Sequence, residues 1–350
     1  MNRNEIVISP ETTLFEALNK MDQIARKLLL VLDNEKFISL ISVGDIQRSI
    51  LKKIPLESPV STVFRDDILV AKDTDDRKSI LRMMKYERIE FMPVIDSKSN
   101  LVDILFWEDY FQDKKITSGT KLGLPVVIMA GGEGTRLRPL TNIIPKPLIP
   151  IDDKTIVEDI MDRFIDVGCK DFTFSVNYKA DKIKEYFDGI PDKKYTVSYI
   201  QEDKPLGTAG SLFLLKDKLK ETFFVSNCDI LVDVNLKDLV DYHKKNNNVI
   251  TVVSVLKNYK IPYGTIETSE NGMLQSLNEK PNIVYQINSG LYILEPEIFN
   301  YLPENNFMHI TDLILRLKEN GKNVGVFPVS EGSWIDMGNW DEYLKIINRK

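Results

Sequence analysis

From residue 125 onward, apolar runs of strand length alternate with stretches of helical period. The runs at 126–130, 171–176, 196–201, 222–228 and 249–256 are short and rich in β-branched and aromatic residues, which predicts strands. Between them, apolar positions recur at helical spacing near 156–167, 180–188, 208–219 and 236–245. Such alternation predicts an α/β unit with a mostly parallel sheet flanked by helices. The segment 264–295 departs from it, because Asn271-Gly272 stands between two strand-like runs and predicts a hairpin. A helix near 310–319, a strand near 323–328 and a helix near 339–348 complete the chain.

The first 110 residues carry an internal repeat. ALNKM at 17–21 aligns with ILRMM at 80–84, and LLLVLD at 28–33 with FMPVID at 91–96. After one inserted residue, FISLISVGDI at 37–46 aligns with LVDILFWEDY at 101–110. Each copy predicts helix, strand, turn, strand and a helix that starts near an Asp. Repeated units bury their apolar faces by stacking, which predicts a pseudo-symmetric α+β pair with clefts between the copies. The pattern, ISVGDI at 41–46 above all, resembles a tandem pair of CBS (cystathionine-β-synthase-type) domains over 1–115, with repeats of about 1–58 and 59–115. That resemblance implies an adenine nucleotide as ligand, held by Asp45 and Asp109 with Ser42 beside the first, and a homodimer formed face to face. In the second copy Phe106 replaces the usual hydroxyl residue and Asp103 the usual Gly. The plain alternative is that Asp45 and Asp109 only cap helices.

Residues 111–124 are polar, with two glycines and no clear period, and predict a linker, with 116–124 separating the first unit from a second at 125–350. Apolar content of 43% supports real cores, and a formal charge of −6 argues against a nucleic-acid binder. No run approaches the roughly 18–20 apolar residues of a membrane span, and the N-terminus lacks a signal-peptide core. A cytoplasmic protein is expected. Its two cysteines, Cys169 and Cys228, fit a reducing compartment. With only two histidines, any metal is expected on carboxylates, which favours Mg²⁺.

The densest chemistry lies at 126–149, VVIMAGGEGTRLRPLTNIIPKPLI. A strand delivers Gly131, Gly132 and Gly134, whose backbone N–H groups can approach phosphate oxygens closely. Arg136, Arg138 and Lys146 add positive charge to one loop. No Lys-Ser or Lys-Thr follows the glycines as a Walker loop requires, and Leu137 stands where a dinucleotide fingerprint needs its third Gly. Gly131–Thr141 followed by Pro145-Lys146-Pro147 resembles instead the GGxGTRLxPLT…PKP signature of sugar-1-phosphate nucleotidylyltransferases. The resemblance implies a Rossmann-like nucleotidyltransferase sheet and a nucleotide site that includes Gly131, Gly132, Gly134 and Thr135.

Open α/β sheets bind ligands at the carboxyl ends of their strands, and further polar clusters fall at such ends. After 196–201 come Gln201 and the glycine turn PLGTAGSL at 205–212, where Gly207 could let a base or sugar lie on the backbone. The resemblance assigns Gln201, Gly207 and Thr208 to the nucleotide. It also implies Mg²⁺ on Asp229, which closes the strand at 222–228, and on Asp336 of WIDMG at 334–338. Cys228 replaces the usual Gly before Asp229. It is read as a small buried neighbour, since no adjoining basic residue would lower its pKa as a reactive thiol needs. Glu279 and Lys280 of NEKP, Asn288 and Gly290 of INSGLYIL, and Tyr178 match sugar-side elements.

The implied reaction is Mg²⁺-dependent transfer of a nucleotidyl group from an NTP to a sugar 1-phosphate, releasing pyrophosphate, with Arg136, Lys146 and Lys280 as the catalytic cations. The residues themselves leave base and sugar open. A CBS pair before a single transferase domain resembles guanylyltransferases of legionaminic acid synthesis, which implies GTP and glucosamine 1-phosphate. UTP, dTTP or mannose 1-phosphate, or a nucleotide sensor without turnover, are the alternatives.

Overall fold

The computed structural model describes residues 5–65, 68–87, 89–110, 121–151 and 153–347. The chain divides into two units, Met1–Ser118 and Gly119–Lys350.

The repeat in the first unit is a repeat of structure. One copy runs β1 (Val7–Ile8), α1 (Leu14–Gln23), β2 (Leu28–Asp33), β3 (Lys36–Ser42) and α2 (Val43–Leu51). The other runs β4 (Ala71–Lys72), α3 (Arg77–Glu87), β5 (Phe91–Ile95), β6 (Leu101–Phe106) and a single turn, α4 (Trp107–Tyr110). Each sheet pairs its first strand parallel and its last strand antiparallel to the middle one. Even the register break recurs, at Val31/Leu32 and at Val94/Ile95, which the repeat aligns. Two copies are joined where Phe37 N donates to Ser99 O at 2.8 Å and Arg26 pairs with Glu90 at 2.9 Å. Helix α1 starts on a capping box, Thr13 with Glu16, and α2 on another, Ser42 with Asp45.

The second unit contains β7 (Val126–Ala130), the small hairpin β8 (Pro150–Ile151) and β9 (Lys154–Thr155), α5 (Ile156–Ile165), β10 (Asp171–Val176), α6 (Ala180–Asp188), β11 (Thr196–Gln201) and α7 (Gly207–Gly210). It continues with β12 (Phe223–Asn227), β13 (Ile230–Val232), α8 (Leu236–Lys245), β14 (Ile250–Lys260), β15 (Thr265–Thr268), β16 (Leu274–Asn278) and β17 (Asn282–Leu294). Last come α9 (Ile310–Glu319), β18 (Val324–Ser330), β19 (Trp334–Asp336) and α10 (Trp340–Ile347). Seven strands form the central sheet in the order β11-β10-β7-β12-β17-β14-β18. All its neighbours pair parallel except β17, which is antiparallel to both β12 and β14. The cause is the connection: β14 reaches β17 through the β15–β16 hairpin rather than a crossover helix, so the chain returns antiparallel. Asn271 and Gly272, at φ 60° and 73°, supply the left-handed turn that the hairpin needs.

Strand alternation divides the core in two. Val126, Ile128 and Ala130 of β7 face one apolar layer with Phe224, Leu291 and Ile293. Val127 faces the other with Phe223, Val225, Tyr292 and Leu294. Both faces are buried, which is why these strands read as continuous apolar runs. Two expectations need correction. The helix predicted over 208–219 is only α7 and a 3-10 segment, Ser211–Leu215, because Gly207 and Gly210 give up helical continuity for backbone packing. In the predicted linker, Leu122 N bonds Val167 O at 2.7 Å and Leu124 is buried, so 121–124 belong to the second unit. The rest of that segment, 111–120, lies outside the described residues.

At the end of the sheet away from the glycine loop, fully buried His243 shares hydrogen bonds with Thr251 Oγ1 (2.8 Å) and Glu295 Oε1 (3.0 Å), and Thr222 donates to the same carboxylate. Burial pushes the Glu295 carboxyl up, but its hydrogen bonds from His243 and Thr222 outweigh that and hold it below its usual 4.5. A depressed carboxylate stabilises the fold above the unfolded value and loses that contribution as pH falls through the lower, folded value. Glu295→Gln should therefore melt below wild type at pH 7, with the gap closing below pH 4.5. Thermal melts across that range check it, and a gap constant with pH would refute it.

Candidate active site

The glycine loop leaves β7 at Ala130, in the middle of the sheet. Gly132, Thr135 and Arg136 are exposed, while Leu137 anchors the loop in the core. Gly134 takes φ +65°, and a Cβ there would lie 2.8 Å from Thr141 Cγ2 and 3.2 Å from Lys146 Cβ. Only Gly combines that backbone with that contact. Thr141 Oγ1 also donates to Gly134 O at 2.9 Å, so the two halves of the signature fold onto each other. Lys179 and Lys182 reach over from α6 and its N-cap to Thr141 O (3.0 Å) and Ile143 O (2.9 Å). Helix α10 closes the other flank, with Trp340 Nε1 donating to Arg138 O at 2.9 Å and Tyr343 to Pro150 O at 3.0 Å.

Asp229 follows β12, only 6% exposed, and Lys146 makes an ion pair with its Oδ2. Strands β13 and β19 pair antiparallel, Ile230 opposite Asp336, which brings the second carboxylate alongside the first. Met337 N donates to Asp229 O at 2.9 Å and Gly338 N to Asp336 Oδ1 at 2.7 Å. The position a Cβ on Gly338 would occupy lies 2.7 Å from Asp336 Oδ1, 2.8 Å from Asp229 Oδ2 and 2.8 Å from an Arg136 guanidinium nitrogen. Arg136, Lys146, Asp229 and Asp336, four residues from three distant segments, thus converge. The donor set is two carboxylates with oxygen atoms facing one point, and it suits a hard divalent cation that completes its shell with phosphate and water. Buried Cys228 has its thiol pushed up to about 12, by burial first and then by the Asp229 charge, so it is an inert neighbour.

Other sequence candidates are placed differently. The Cβ side of Gly207, at φ +74°, faces Met308 O at 2.5 Å, and that of Gly210 faces Asn306 O at 2.4 Å. On that side the turn packs against the 306–308 backbone. Thr208 Oγ1 accepts from Ile310 N at 2.9 Å and so caps α9. Gln201 is exposed and accepts from Lys184 at 2.8 Å. Tyr178 packs on the glycine-loop side, its N donating to Gly131 O and its hydroxyl to Thr141 O, both at 3.4 Å. Asn288 accepts from Gly290 N at 3.0 Å, and Gly290, at φ +87°, makes room for the Asn227 side chain. Glu279 and Lys280 stand exposed in the turn from β16 to β17, 4.0 Å apart. Glu202 was missed: 9% exposed, it accepts from Ser175 Oγ (2.9 Å) and Leu206 N (2.8 Å), and its Oε1 lies 3.2 Å from where a Gly131 Cβ would be. It fastens the 202–206 loop beneath the glycine loop.

In the first unit Asp45 is buried, and its carboxylate accepts from Ser42 and pairs with Arg48 and with Arg65 (3.0 Å). Asp109 is exposed on α4. Asp45 therefore does cap its helix, and its oxygens already have partners.

A family model described as nucleotidyl transferase matches residues 125–350, and a CBS domain model matches residues 1–52. A probable mannose-1-phosphate guanylyltransferase 3 of Oryza sativa subsp. japonica is 30% identical over 229 residues, 63% of each chain. The mannose-1-phosphate guanylyltransferase catalytic subunit beta of Drosophila melanogaster is 36% identical over 185 residues, 51% of this chain and 50% of that one. A UTP–glucose-1-phosphate uridylyltransferase of Synechocystis sp. is 29% identical, covering 64% of this chain and 62% of its own. This chain thus spans less than two thirds of the length of these relatives. Among solved structures, HddC from Yersinia pseudotuberculosis superposes with a TM-score of 0.51 at 27% identity, over 65% of this chain and 99% of HddC.

Proposed function

We propose guanylyl transfer to a hexose 1-phosphate for this chain, which belongs to the nucleotidyl transferase family. The observation that carries the proposal is the convergence of Arg136, Asp229 and Asp336 about Gly338, with Lys146 on Asp229, beside an open glycine loop. In the proposed reaction an oxygen of the sugar phosphate attacks the α-phosphorus of the nucleotide, and the bond to pyrophosphate breaks. No covalent nucleophile is needed, so catalysis rests on position and charge. The backbone N–H groups at 131–135 cradle the triphosphate, and Arg136 takes up charge on the departing pyrophosphate. Lys146, whose stem packs against Gly134, takes up charge on the α-phosphate. Asp229 and Asp336 would hold Mg²⁺, which when bound would neutralise the phosphates at the reacting centre. Lys280, exposed in the turn between β16 and β17, is assigned to the acceptor phosphate.

Guanine is favoured by the guanylyltransferases among the plant and fly relatives, with uridylyl transfer as the competitor from Synechocystis. For the acceptor, those names favour mannose 1-phosphate, whereas the CBS unit ahead of the transferase favours glucosamine 1-phosphate. Pyrophosphate release should be measured with GTP, UTP, dTTP, ATP and CTP against both acceptors and glucose 1-phosphate. Turnover should be highest with GTP and one of the two named acceptors. Binding of a sugar nucleotide without pyrophosphate release from any pair would replace the proposal with a sensor.

A further inference from the structure

We infer that Lys146 holds the cation's place at Asp229 in the nucleotide-free protein, and that nucleotide phosphates draw it off, so that divalent metal binds strongly only together with nucleotide. The inference rests on the proposed reading of Asp229 and Asp336 as metal carboxylates and assigns a regulation to that site. Its observations are separate. Lys146 and Asp229 form an ion pair whose side chains are only 12% and 9% exposed, so the contact is shielded from solvent and salt. The same Asp229 Oδ2 that takes the ammonium also faces Gly338 alongside Asp336 Oδ1 and Arg136. Asp229 is therefore countered by the Lys146 ammonium before any ligand arrives, and the Arg136 guanidinium lies close to both carboxylates. A dication entering at Asp229 would meet an ammonium already on its oxygen and a guanidinium beside it, and like charges at that range repel strongly where water is scarce.

The geometry also supplies the release. The Lys146 stem lies against Gly134, with Cβ 3.2 Å and Cδ 3.5 Å from the position of a Gly134 Cβ. Its root is therefore fixed on the glycine loop, while its ammonium can turn from Asp229 toward an anion lying over that loop. Arg136, exposed on the same loop and beside the two carboxylates, can turn toward the same anion. Phosphates that accept both cations leave Asp229 and Asp336 as uncompensated carboxylates facing one another, a state that a dication stabilises. By linkage, each ligand then raises the affinity for the other.

Mn²⁺ binding followed by water-proton relaxation tests this without turnover. In the absence of nucleotide, Lys146→Met and Lys146→Gln should bind Mn²⁺ about 10- to 100-fold more tightly than wild type, the range of ordinary coupling between sites. Adding Asp229→Asn to either variant should remove the gain. Wild type with GTP should form a ternary Mn²⁺ complex that Asp229→Asn abolishes. Equal Mn²⁺ affinity in wild type and both Lys146 variants would overturn the inference, as would a gain that survives Asp229→Asn. If that failure comes with an Asp229-dependent ternary complex, the metal reading stands and only the latch falls. If no arm shows Asp229-dependent metal, both fall.

Discussion

Lys146→Ala should lower kcat by about 10²–10³-fold or more, the usual effect of removing one preorganised charge from a reacting centre. The size follows from position. Lys146 is fixed by its stem on Gly134 and by the Pro145 and Pro147 that flank it, both buried, so its ammonium reaches the site with little freedom to lose. Arg136 cannot replace it, because Arg136 approaches from an exposed loop position and is already assigned to the leaving group. The same substitution leaves Asp229 without its ion-pair partner. Removing one member of a buried pair typically costs about 3–5 kcal/mol, and the nearby Arg136 guanidinium should hold the loss below that range. Melting the variant separates the two effects: pairing Lys146→Ala with Asp229→Asn should recover stability while turnover stays lost. A variant that melts like wild type and turns over near normally would remove Lys146 from the chemistry.

How much of this was legible in sequence depends on the physical range of each signal. Strands β7, β10 and β11 and helices α6, α8 and α9 fall where the apolar period placed them, because each is buried on a face its own sequence defines. The repeat in the first unit was legible as an order of elements, and the structure adds the aligned register breaks at Val31/Leu32 and Val94/Ile95. Local signals say little where distant backbone decides the packing. Gly207 read as clearance for a ligand, and its Cβ side, like that of Gly210, packs on the 306–308 segment, a hundred residues away. Thr208, on the same turn, caps a helix that begins at Ile310. Glu202 gave no local signal, since its partners Ser175 and Leu206 are assembled only by the sheet. Lys179 and Lys182 carried no signal of their own in the sequence, and only the folded loop reveals the carbonyls they hold. Asp229 and Asp336 were legible as motif residues, but the strand pairing that makes them neighbours was not.

Gly338→Ala is expected to reduce kcat/KM by about 10²-fold or more, comparable to misplacing a reacting group by an ångström, with little change in thermal stability. Gly338 is buried, and it is not among the glycines with positive φ, so an alanine backbone fits. The added methyl does not. It would stand 2.7 Å from Asp336 Oδ1 and 2.8 Å from both Asp229 Oδ2 and Arg136, closer than carbon and these atoms approach without displacement. All three neighbours are side-chain ends, so they can yield without unfolding the chain. Their yielding is nevertheless what destroys the site, because Asp336 must break its 2.7 Å bond to the Gly338 amide and Asp229 must leave the line it shares with Lys146. The loss should appear together with a raised Mg²⁺ requirement, since the displaced carboxylates are those proposed to hold the ion. A purely structural role for Gly338 would instead lower the melting temperature and leave the Mg²⁺ dependence of the remaining activity unchanged. Measuring kcat/KM against Mg²⁺ concentration beside a thermal melt decides between the two.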